Sequence, residues 1–332
     1  MPADSLKLIT CYPLSDGCAD RIRQSYPQLE LVVCDQDTIA DQLAAADIFC
    51  GHAKVPVDWQ AVVDAGNLRW IQSSAAGLDH CLTPPVIQSE IRVSSCSGVF
   101  RDSVAEQTLA LLYGLMRGLP VFFQQQRQRQ YVRRPTNDLH HQRIGIVGFG
   151  GNGQRIAEML MPLGTPIIAT DRLSTQWQAS GPLPAIDELW PAERLDDLLA
   201  QSDVVVLTIP LDESTDRIIG SRELGQMPRG SWLINVGRGR LVDEDALVDA
   251  LTSGQLAGAG LDVAFEEPLP PTSRLWELSN VIITPHVGAQ SRYRNDLVTD
   301  LLIENVQRFL NGATLKNEVD KSQGIPLPDA RR

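Results

Sequence analysis

The feature that most constrains the fold is a series of short apolar runs separated by longer segments with a helical pattern. In the second half of the chain these runs carry few polar residues at any position. Strands that are apolar on both faces need helices on both sides, as in the parallel sheet of an α/β domain. The runs that predict such strands are 144–147, 166–170, 204–209, 232–234, 260–263 and 281–284. This half of the chain is therefore predicted to form a doubly wound sheet.

A similar series occupies the first third of the chain and predicts a second parallel sheet with crossover helices. Its strand-like runs are 6–10, 31–34, 47–50, 68–73 and 91–94. Between the two series, Ser103 and Glu106 have the spacing of a capping box in front of an apolar helix, 107–119, which would connect two domains. An amphipathic segment, 293–310, is predicted to return to the first domain. The first domain is thus expected to be discontinuous.

The composition is that of an ordinary globular protein, with 43% hydrophobic and 21% charged residues over 332 positions. A formal net charge of −12 argues against nucleic acid and anionic membranes as partners, because both attract cationic surfaces. The Arg-rich stretch 127–134 is interpreted as a solvated connection rather than a basic patch. No apolar run has the length of a membrane span and the first residues lack a signal-peptide pattern, so a cytoplasmic location is expected.

All six cysteines precede residue 97, without a Cys-x-x-Cys pair or a histidine at the spacing of zinc ligands. Several of them lie within or beside apolar runs. They are expected to be buried reduced thiols, and no metal site is predicted.

A glycine-rich segment, Gly148-Phe149-Gly150-Gly151-Asn152-Gly153, follows the first strand-like run of the second series and opens a helical run, 154–163. We call this segment the fingerprint. Here Gly148 would make the tight turn, Gly150 would let the backbone approach a pyrophosphate, and Gly153 would allow close packing of helix and strand. The fingerprint predicts a dinucleotide site to which all six residues contribute.

The next strand-like run ends at Asp171, which Arg172 follows. A carboxylate at this position binds the ribose hydroxyls of the adenosine and repels a 2′-phosphate, which predicts NAD in preference to NADP. Arg172 weakens this preference for NAD, since a cation attracts the 2′-phosphate of NADP. The alternative for Asp171 is an ordinary turn residue after a strand.

Three later strand-like runs are each followed by a side chain that suits acid–base chemistry, namely Arg238, Glu267 and His286. Because ligands of such sheets bind at the carboxyl ends of the strands, the three are expected to meet in one site. Taken singly, each has an ordinary alternative: Arg238 could be a surface ion-pair residue, Glu267 a solvated loop acid and His286 a turn residue. Together with the fingerprint they predict a redox enzyme.

Several segments, in the same order along the chain, are similar to those of the D-isomer-specific 2-hydroxyacid dehydrogenase family, which includes glyoxylate/hydroxypyruvate reductases and phosphoglycerate dehydrogenase. They are Gly77-Leu78-Asp79, Val104-Ala105-Glu106, the fingerprint, Pro210-Leu211-Asp212-Glu213-Ser214-Thr215, Asn235-Val236-Gly237-Arg238-Gly239, Leu261-Asp262-Val263 with Glu267-Pro268, and Thr284-Pro285-His286. The chain resembles that family over nearly its whole length. The resemblance implies an α/β fold in which a Rossmann NAD-binding domain, residues 106–289, is inserted into a flavodoxin-like substrate-binding (catalytic) domain, residues 1–105 and 290–332.

The resemblance also implies the reaction, which is the NAD(H)-dependent reduction of a small 2-oxo acid to the D-2-hydroxy acid and its reverse. Arg238 would bind the substrate carboxylate and polarise the carbonyl, His286 would exchange the proton, and Glu267 would orient the imidazole and favour its charged form. Glyoxylate or hydroxypyruvate is the expected substrate. A homodimer paired through the nucleotide domains is implied as well.

Further binding residues follow from the same resemblance. The substrate carboxylate would also meet the backbone amides of a loop of small residues, Ser74, Ala75, Ala76 and Gly77, for which a plain tight turn is the alternative. Additional cofactor contacts are expected at the ends of later strands, from Pro210, Val236 and Asp262. Three residues on loops that could face the same cleft have no assigned role, namely His52, His80 and Arg101.

Two alternatives stay open on the sequence. A phosphoglycerate dehydrogenase-like activity is less favoured, because the residues after the last helix leave no room for the regulatory domain of many such enzymes. A corepressor or scaffold that senses NAD(H) belongs to another functional class, and such family members retain the same catalytic residues. Formate dehydrogenases are disfavoured, since they carry Gln where Glu267 stands. Departures from the family pattern at His80 and at 100–102 leave the substrate open.

Overall fold

The structure is a computed structural model, and it describes residues 6–179 and 185–327. The strands are β1 (Lys7–Cys11), β2 (Glu30–Val33), β3 (Ile48–Gly51), β4 (Trp70–Ser73), β5 (Arg92–Ser94), β6 (Ile144–Val147), β7 (Ile167–Asp171), β8 (Glu188–Pro191), β9 (Val204–Leu207), β10 (Ser231–Asn235), β11 (Leu256–Leu261), β12 (Val281–Ile283), β13 (Val319–Asp320) and β14 (Ile325–Pro326). The α-helices are α1 (Asp16–Ser25), α2 (Ile39–Gln42), α3 (Trp59–Ala65), α4 (Pro84–Gln88), α5 (Arg101–Met116), α6 (Leu119–Arg127), α7 (Gly151–Leu160), α8 (Ser174–Ala179), α9 (Leu195–Gln201), α10 (Ser221–Gln226), α11 (Glu244–Thr252) and α12 (Arg294–Leu310). Short 3₁₀ helices are Leu43–Ala45, Leu139–His141, Met161–Leu163, Ala192–Arg194, Gly239–Leu241 and Arg274–Glu277.

The chain forms two compact units. Unit 1 combines residues 1–100 with 291–332, and unit 2 contains residues 101–290. The domain boundary expected near residue 105 falls within helix α5 of unit 2. The chain ends that belong to the predicted first domain, 1–5 and 328–332, lie outside the described residues.

Unit 1 contains a parallel sheet of strand order β2-β1-β3-β4-β5. This is the doubly wound order of flavodoxin-like domains, as predicted. Ile9, Phe49, Ile71 and Val93 stand next to one another across four strands, and each is almost fully buried. Such a row of large apolar side chains forms only when the strands pair in this register, because a shift by one residue would turn them to the opposite face.

Helix α12 packs within unit 1, where the amphipathic end segment is predicted to be. The Tyr12 hydroxyl and the Thr299 hydroxyl lie 3.1 Å apart in the interior, and the ring of Phe309 stacks on Trp70 at a centroid distance of 5.4 Å. Two members of the predicted apolar stripe, Leu297 and Leu310, are exposed instead, with 39% and 40% of their surface accessible. They lie at the margins of the stripe, where a curved helix surface leaves the core.

Unit 2 contains a parallel sheet of strand order β12-β11-β10-β9-β6-β7-β8. Counted from β6, this is the classical Rossmann order with one further strand, so the predicted fold class is confirmed. Strand β8, at one edge, was not predicted from the sequence. Only its two central residues, Leu189 and Trp190, are buried, and Pro191 ends it. An edge strand this short carries neither a long apolar run nor a clear alternation.

Helix α5 begins at Arg101, six residues before the predicted apolar helix, and packs on helices α6 and α7 and strands β10, β11 and β12 of unit 2. Its residues Leu111, Leu112 and Leu115 are buried. At Gly260, a β-carbon would lie 2.9 Å from Leu111 Cβ, so the helix sits directly on strand β11. The segment predicted as a connector is therefore part of a domain core.

The six cysteines are free, and all but the half-buried Cys34 are buried. Burial raises the pKa of the Cys96 thiol to about 12. Buried reduced thiols were expected at these positions, and the burial of five of them is confirmed.

Candidate active site

The first and last glycines of the fingerprint are required by close approaches within unit 2. Gly148 has a φ of +98°, and a β-carbon there would lie 2.7 Å from Ile209 Cγ2. A β-carbon on Gly153 would lie 2.1 Å from the carbonyl oxygen of Gly148, which is too close for any other residue. The strand, the turn and helix α7 can therefore pack only with glycine at both positions.

Gly150 is different, because a β-carbon there would meet no atom within 4 Å. It is the N-cap residue of α7, and no side chain caps the helix at this end. The space beside Gly150 and the amides of Gly151, Asn152 and Gly153 together fit a pyrophosphate, since a helix N-terminus offers N–H donors and a partial positive charge.

Asp171, at the end of β7, is joined to the fingerprint. Its Oδ2 accepts a hydrogen bond from the Phe149 backbone N–H at 2.6 Å. Its Oδ1 accepts from the Leu173 N–H at 2.7 Å and from Trp177 Nε1 at 3.3 Å. These bonds keep the carboxylate at the carboxyl edge of the sheet, next to the fingerprint turn. Arg172 forms an ion pair with Asp212, a partner that sequence patterns did not indicate.

The structure brings Glu267 and His286 together. His286 Nδ1 and Glu267 Oε2 are 2.8 Å apart, and the two side chains are 47% and 40% exposed. Glu267 Oε1 also accepts a hydrogen bond from the Ala264 N–H at 3.1 Å. Partial burial raises the pKa of the Glu267 carboxyl, but the hydrogen bond with His286 and the charges of His286 and Arg238 outweigh it, so the pKa lies below its usual value.

His286 is held by its own backbone in the left-handed region, with a φ of +54°. Its N–H donates to the carbonyl oxygen of Asp262 at 2.7 Å. The Asp262 carboxylate, which is 2% exposed, accepts from the Thr284 hydroxyl at 2.6 Å, from Val287 N–H at 3.0 Å and from Gly288 N–H at 2.8 Å. The Asp262 carboxylate thus holds the loop that carries His286, and the cofactor contact predicted for Asp262 stays a prediction.

Arg238 follows β10 and is half-buried. Its Nη1 donates to the carbonyl oxygen of Gly237 at 2.8 Å, and its own carbonyl oxygen accepts from Asn235 Nδ2 at 2.9 Å. A β-carbon on Gly239 would lie 1.7 Å from the carbonyl oxygen of Ala264, so the backbone after Arg238 touches the loop that carries Glu267. Within unit 2, the guanidinium, the carboxylate and the imidazole thus occupy one edge of the sheet.

Two other predicted cofactor residues lie at the same edge of unit 2. Pro210 is exposed after β9, and Val236 is buried directly after β10. Thr284 and Gln107 belong to the neighbourhood as well, since Gln107 Nε2 donates to the Thr284 hydroxyl at 2.9 Å. The Thr-Pro-His segment was the only signal that could have indicated Thr284, and nothing in the sequence indicated Gln107.

In unit 1, the loop of small residues after β4 uses part of its backbone internally. The Ser74 N–H donates to the carbonyl oxygen of Gly51 at 3.0 Å, and the Ala75 N–H donates to the Ser73 hydroxyl at 3.0 Å. Within 6–179 and 185–327, the amides of Ala76 and Gly77 donate no hydrogen bond. Of the four predicted amides, these two are the ones that are not used within the loop.

In unit 1, Arg294 contacts that loop, and two histidines without an assigned role contact each other. Arg294 Nη2 donates to the Ser74 carbonyl oxygen at 2.8 Å, and its guanidinium lies over the ring of Phe100 at 5.2 Å. The imidazoles of His52 and His80 stack at a centroid distance of 3.9 Å and an interplanar angle of 13°. Arg101, the third residue without an assigned role, is exposed at the start of α5 in unit 2.

Within the described residues, no group of three or more His, Cys, Asp or Glu side chains could hold a metal ion. Across those same ranges, no helix has both the length and the apolar character that crossing a membrane demands.

A family model described as the NAD binding domain of D-isomer specific 2-hydroxyacid dehydrogenase matches residues 109–288. That range is more than half of the chain. The chain belongs to this family. The resemblance inferred from the sequence motifs is thereby confirmed, and this dehydrogenase is an oxidoreductase with an NAD(P)-binding domain.

Curated relatives point in the same direction. This dehydrogenase is 32% identical over 263 residues to the glyoxylate reductase of Thermofilum pendens, an alignment that covers 77% of this chain and 76% of the relative. It is 31% identical over 272 residues to glyoxylate/hydroxypyruvate reductase B of Erwinia tasmaniensis, with coverage of 80% and 82%.

Solved structures of the family share the fold. A D-isomer specific 2-hydroxyacid dehydrogenase family protein of Aeromonas salmonicida superposes with a TM-score of 0.80 at 29% identity, covering 96% of this chain and 99% of that one. A D-isomer specific 2-hydroxyacid dehydrogenase of Xanthobacter autotrophicus, in complex with NADPH and MES, gives a TM-score of 0.81 at 26% identity, with the same coverage.

Proposed function

We propose that this dehydrogenase uses NADH to reduce a small 2-oxo acid to the D-2-hydroxy acid and that it catalyses the reverse reaction. The observation that most directly supports the proposal is the 2.8 Å contact between His286 Nδ1 and Glu267 Oε2, next to Arg238, in the unit that carries the fingerprint. Acid–base groups and a dinucleotide site in one domain are what hydride transfer to a carbonyl requires.

The proton is assigned to His286. An ionised Glu267 can only accept hydrogen bonds, so the 2.8 Å contact requires that Nδ1 carries a hydrogen. Nε2 is then the ring nitrogen that gives a proton to the substrate oxygen during reduction and takes it back during oxidation. The carboxylate also stabilises the imidazolium form, and the Ala264 N–H fixes its other oxygen.

Arg238 has the complementary role of binding charge. A planar guanidinium can meet the substrate carboxylate and the polarised carbonyl oxygen at once. The nicotinamide, when bound, supplies or accepts the hydride. In unit 1, we propose the backbone amides of Ala76 and Gly77 as anion-binding groups, a narrower set than the four residues suggested by the sequence. We accordingly propose unit 1 as the substrate domain and unit 2 as the cofactor domain.

Glyoxylate or hydroxypyruvate is the substrate class that we favour. The support is that relatives of about 30% identity carry the names glyoxylate reductase and glyoxylate/hydroxypyruvate reductase. NADH is favoured over NADPH because the Asp171 carboxylate is fixed at the end of β7, where a 2′-phosphate would meet it. A cytoplasmic homodimer completes the proposal, and light scattering after size-exclusion chromatography tests its mass.

A panel of 2-oxo acids that includes glyoxylate, hydroxypyruvate and phosphohydroxypyruvate, run with both cofactors, tests the proposal. We expect NADH oxidation with one of the first two acids and a higher kcat/KM for NADH than for NADPH. Turnover of the phosphorylated acid alone would replace the proposed substrate with that of a phosphoglycerate dehydrogenase. Intact NADH binding without turnover of any acid would favour a sensor or scaffold.

A further inference from the structure

Arg172 forms an ion pair with Asp212, a carboxylate that follows a different strand of unit 2. Its Nη1 donates to Asp212 Oδ2 at 2.7 Å, and its Nη2 donates to Asp212 Oδ1 at 3.2 Å and to the Ser214 hydroxyl at 2.6 Å. The pair is bidentate, a geometry that fixes the plane of the guanidinium. Arg172 follows β7 and Asp212 follows β9, and these strands flank β6, from which the fingerprint turn emerges.

Hydrogen bonds within its own turn fix the Asp212 carboxylate independently of Arg172. Its Oδ1 accepts hydrogen bonds from the N–H groups of Ser214 at 2.9 Å and Thr215 at 3.1 Å, and from the Ser214 hydroxyl at 2.7 Å. The guanidinium of Arg172 holds the pKa of Asp212 well below its usual range, against an opposing effect of partial burial. Both partners are therefore charged throughout the neutral range of pH.

The consequence concerns the adenosine end of the cofactor. In sheets of this order, the residues after the second strand meet the adenosine ribose, and a cation there can bind the 2′-phosphate of NADP. Arg172 is the cation at that position, but its donors are directed to Asp212 and Ser214. Because Asp171 precedes Arg172 in the chain, two carboxylates, those of Asp171 and Asp212, lie near the Arg172 guanidinium.

We infer that Asp212 is a second determinant of cofactor selectivity, which favours NADH by holding Arg172 in an ion pair that a 2′-phosphate would have to break. This inference rests on the NADH preference proposed above and adds a residue to it. Asp171 repels the phosphate directly, whereas Asp212 acts through Arg172. Asp212 is a positioning residue that follows β9, whereas Asp171 ends β7.

Asp212→Asn removes the negative charge that pairs with Arg172 but can keep the hydrogen bonds that form the turn at residues 212–215. The amide oxygen can replace Oδ1 as acceptor for the Ser214 and Thr215 N–H groups, while the –NH₂ group faces Arg172 Nη1 and cannot accept from it. We expect the ratio of the NADPH and NADH dissociation constants to shift towards NADPH by about five- to tenfold, the size expected when a half-exposed ion pair gives way to an arginine–phosphate contact.

Asp216→Asn is the matched control. Asp216 lies in the same segment and has a similar exposure, 30% against 36% for Asp212, but it pairs with Arg240 at 2.9 and 2.8 Å. It undergoes the same change of charge without releasing Arg172, so its dissociation-constant ratio should stay within about twofold of the wild type, as for a remote surface charge. If the D212N chain does not fold, Ser214→Ala removes one acceptor of Arg172 and should give a smaller shift in the same direction.

Calorimetric titration of the full-length protein with NADH and NADPH, without any 2-oxo acid, measures the dissociation constants. Adding Arg172→Ala to D212N should abolish the gain, and the loss of NADPH affinity on R172A should be at least about fivefold larger in D212N than in the wild type. An unchanged ratio in D212N, or a gain that survives R172A, would overturn the inference. Because no turnover is measured, failure of the proposed reaction does not mask the result. A wild type that binds NADPH more tightly than NADH would instead refute the proposed preference.

Discussion

Glu267→Gln tests the charge that the site places next to its imidazole. The change removes the negative charge 2.8 Å from His286 Nδ1, while the glutamine oxygen can still accept from the Ala264 N–H. At that distance the Coulomb attraction between a carboxylate and an imidazolium, each with a unit charge, is about 1.5 kcal/mol in a water-like dielectric. It is about 6 kcal/mol at an effective dielectric of about 20. Because the side chains are 47% and 40% exposed, we take the lower figure, which corresponds to about a tenfold effect.

We therefore expect kcat in E267Q to fall about tenfold or more near neutral pH, with an NADH dissociation constant close to that of the wild type. Steady-state rates at neutral pH, in both directions, measure this. Glu266→Gln is the control, because Glu266 is exposed next to Glu267 and undergoes the same change of charge. Wild-type kcat in E267Q, or equal losses in both variants, would refute the reasoning.

Three other changes give separate tests. His286→Ala should lower kcat by about two to four orders of magnitude, the usual contribution of a general acid, while NADH binding changes little. Arg294→Met removes the donor that meets the Ser74 carbonyl and should raise the KM for the 2-oxo acid about fivefold without affecting NADH binding. Glu318→Gln breaks a bidentate pair with Arg92, at 2.7 and 2.6 Å, and should lower the free energy of unfolding by about 1–2 kcal/mol at neutral pH, measured by urea titration.

The pH dependence of the Glu318 contribution has a definite sign. Burial raises the pKa of this carboxyl, but the hydrogen bonds with Arg92 and the Leu315 N–H lower it more, so the net shift is downward. The stabilisation is thus complete above the unfolded value of about 4.3 and is lost as the pH falls through the lower, folded value. The difference between wild type and E318Q should narrow below about pH 4. A constant difference down to acid pH would contradict this assignment.

The predictions for H286A and R294M can each be contradicted by one result, and R294M has a matched control. A fully active H286A chain would remove the imidazole from the mechanism. Arg292→Met removes an exposed guanidinium that lies over the ring of Tyr293, close to Arg294 in sequence. A KM that rises equally in R292M and R294M would point to a general loss of positive charge rather than to the Ser74 loop.

Much of the architecture could be predicted because it depends on local patterns. Runs such as Val204–Leu207 are apolar at every position, and only a sheet covered on both faces buries all of them. The glycines of the fingerprint mark a strand–turn–helix unit, and the crowding at Gly148 and Gly153 shows why no larger residue fits. The edge strand Glu188–Pro191 was missed because just its two central residues are buried.

The sequence predicted which residues form the catalytic set, but not which hydrogen bonds the loop around Ser74 makes. Arg238, Glu267 and His286 could be recognised because each follows a strand-like run, and the ends of parallel strands share one edge. The internal use of the Ser74 and Ala75 amides could not be foreseen, since their acceptors depend on the path of the loop after β4.

The sequence by itself determined which residue types stand at the ends of strands, and hence the family, the dinucleotide fingerprint and the acid–base set. Only the tertiary structure decided which of these side chains meet. Asp212 is 40 residues from Arg172, and it becomes a partner because β7 and β9 flank β6 in the sheet. Asp262 likewise holds the His286 loop because β11 and β12 are neighbours. Hydrogen bonds act over about 3 Å, so they depend on strand order rather than on sequence spacing.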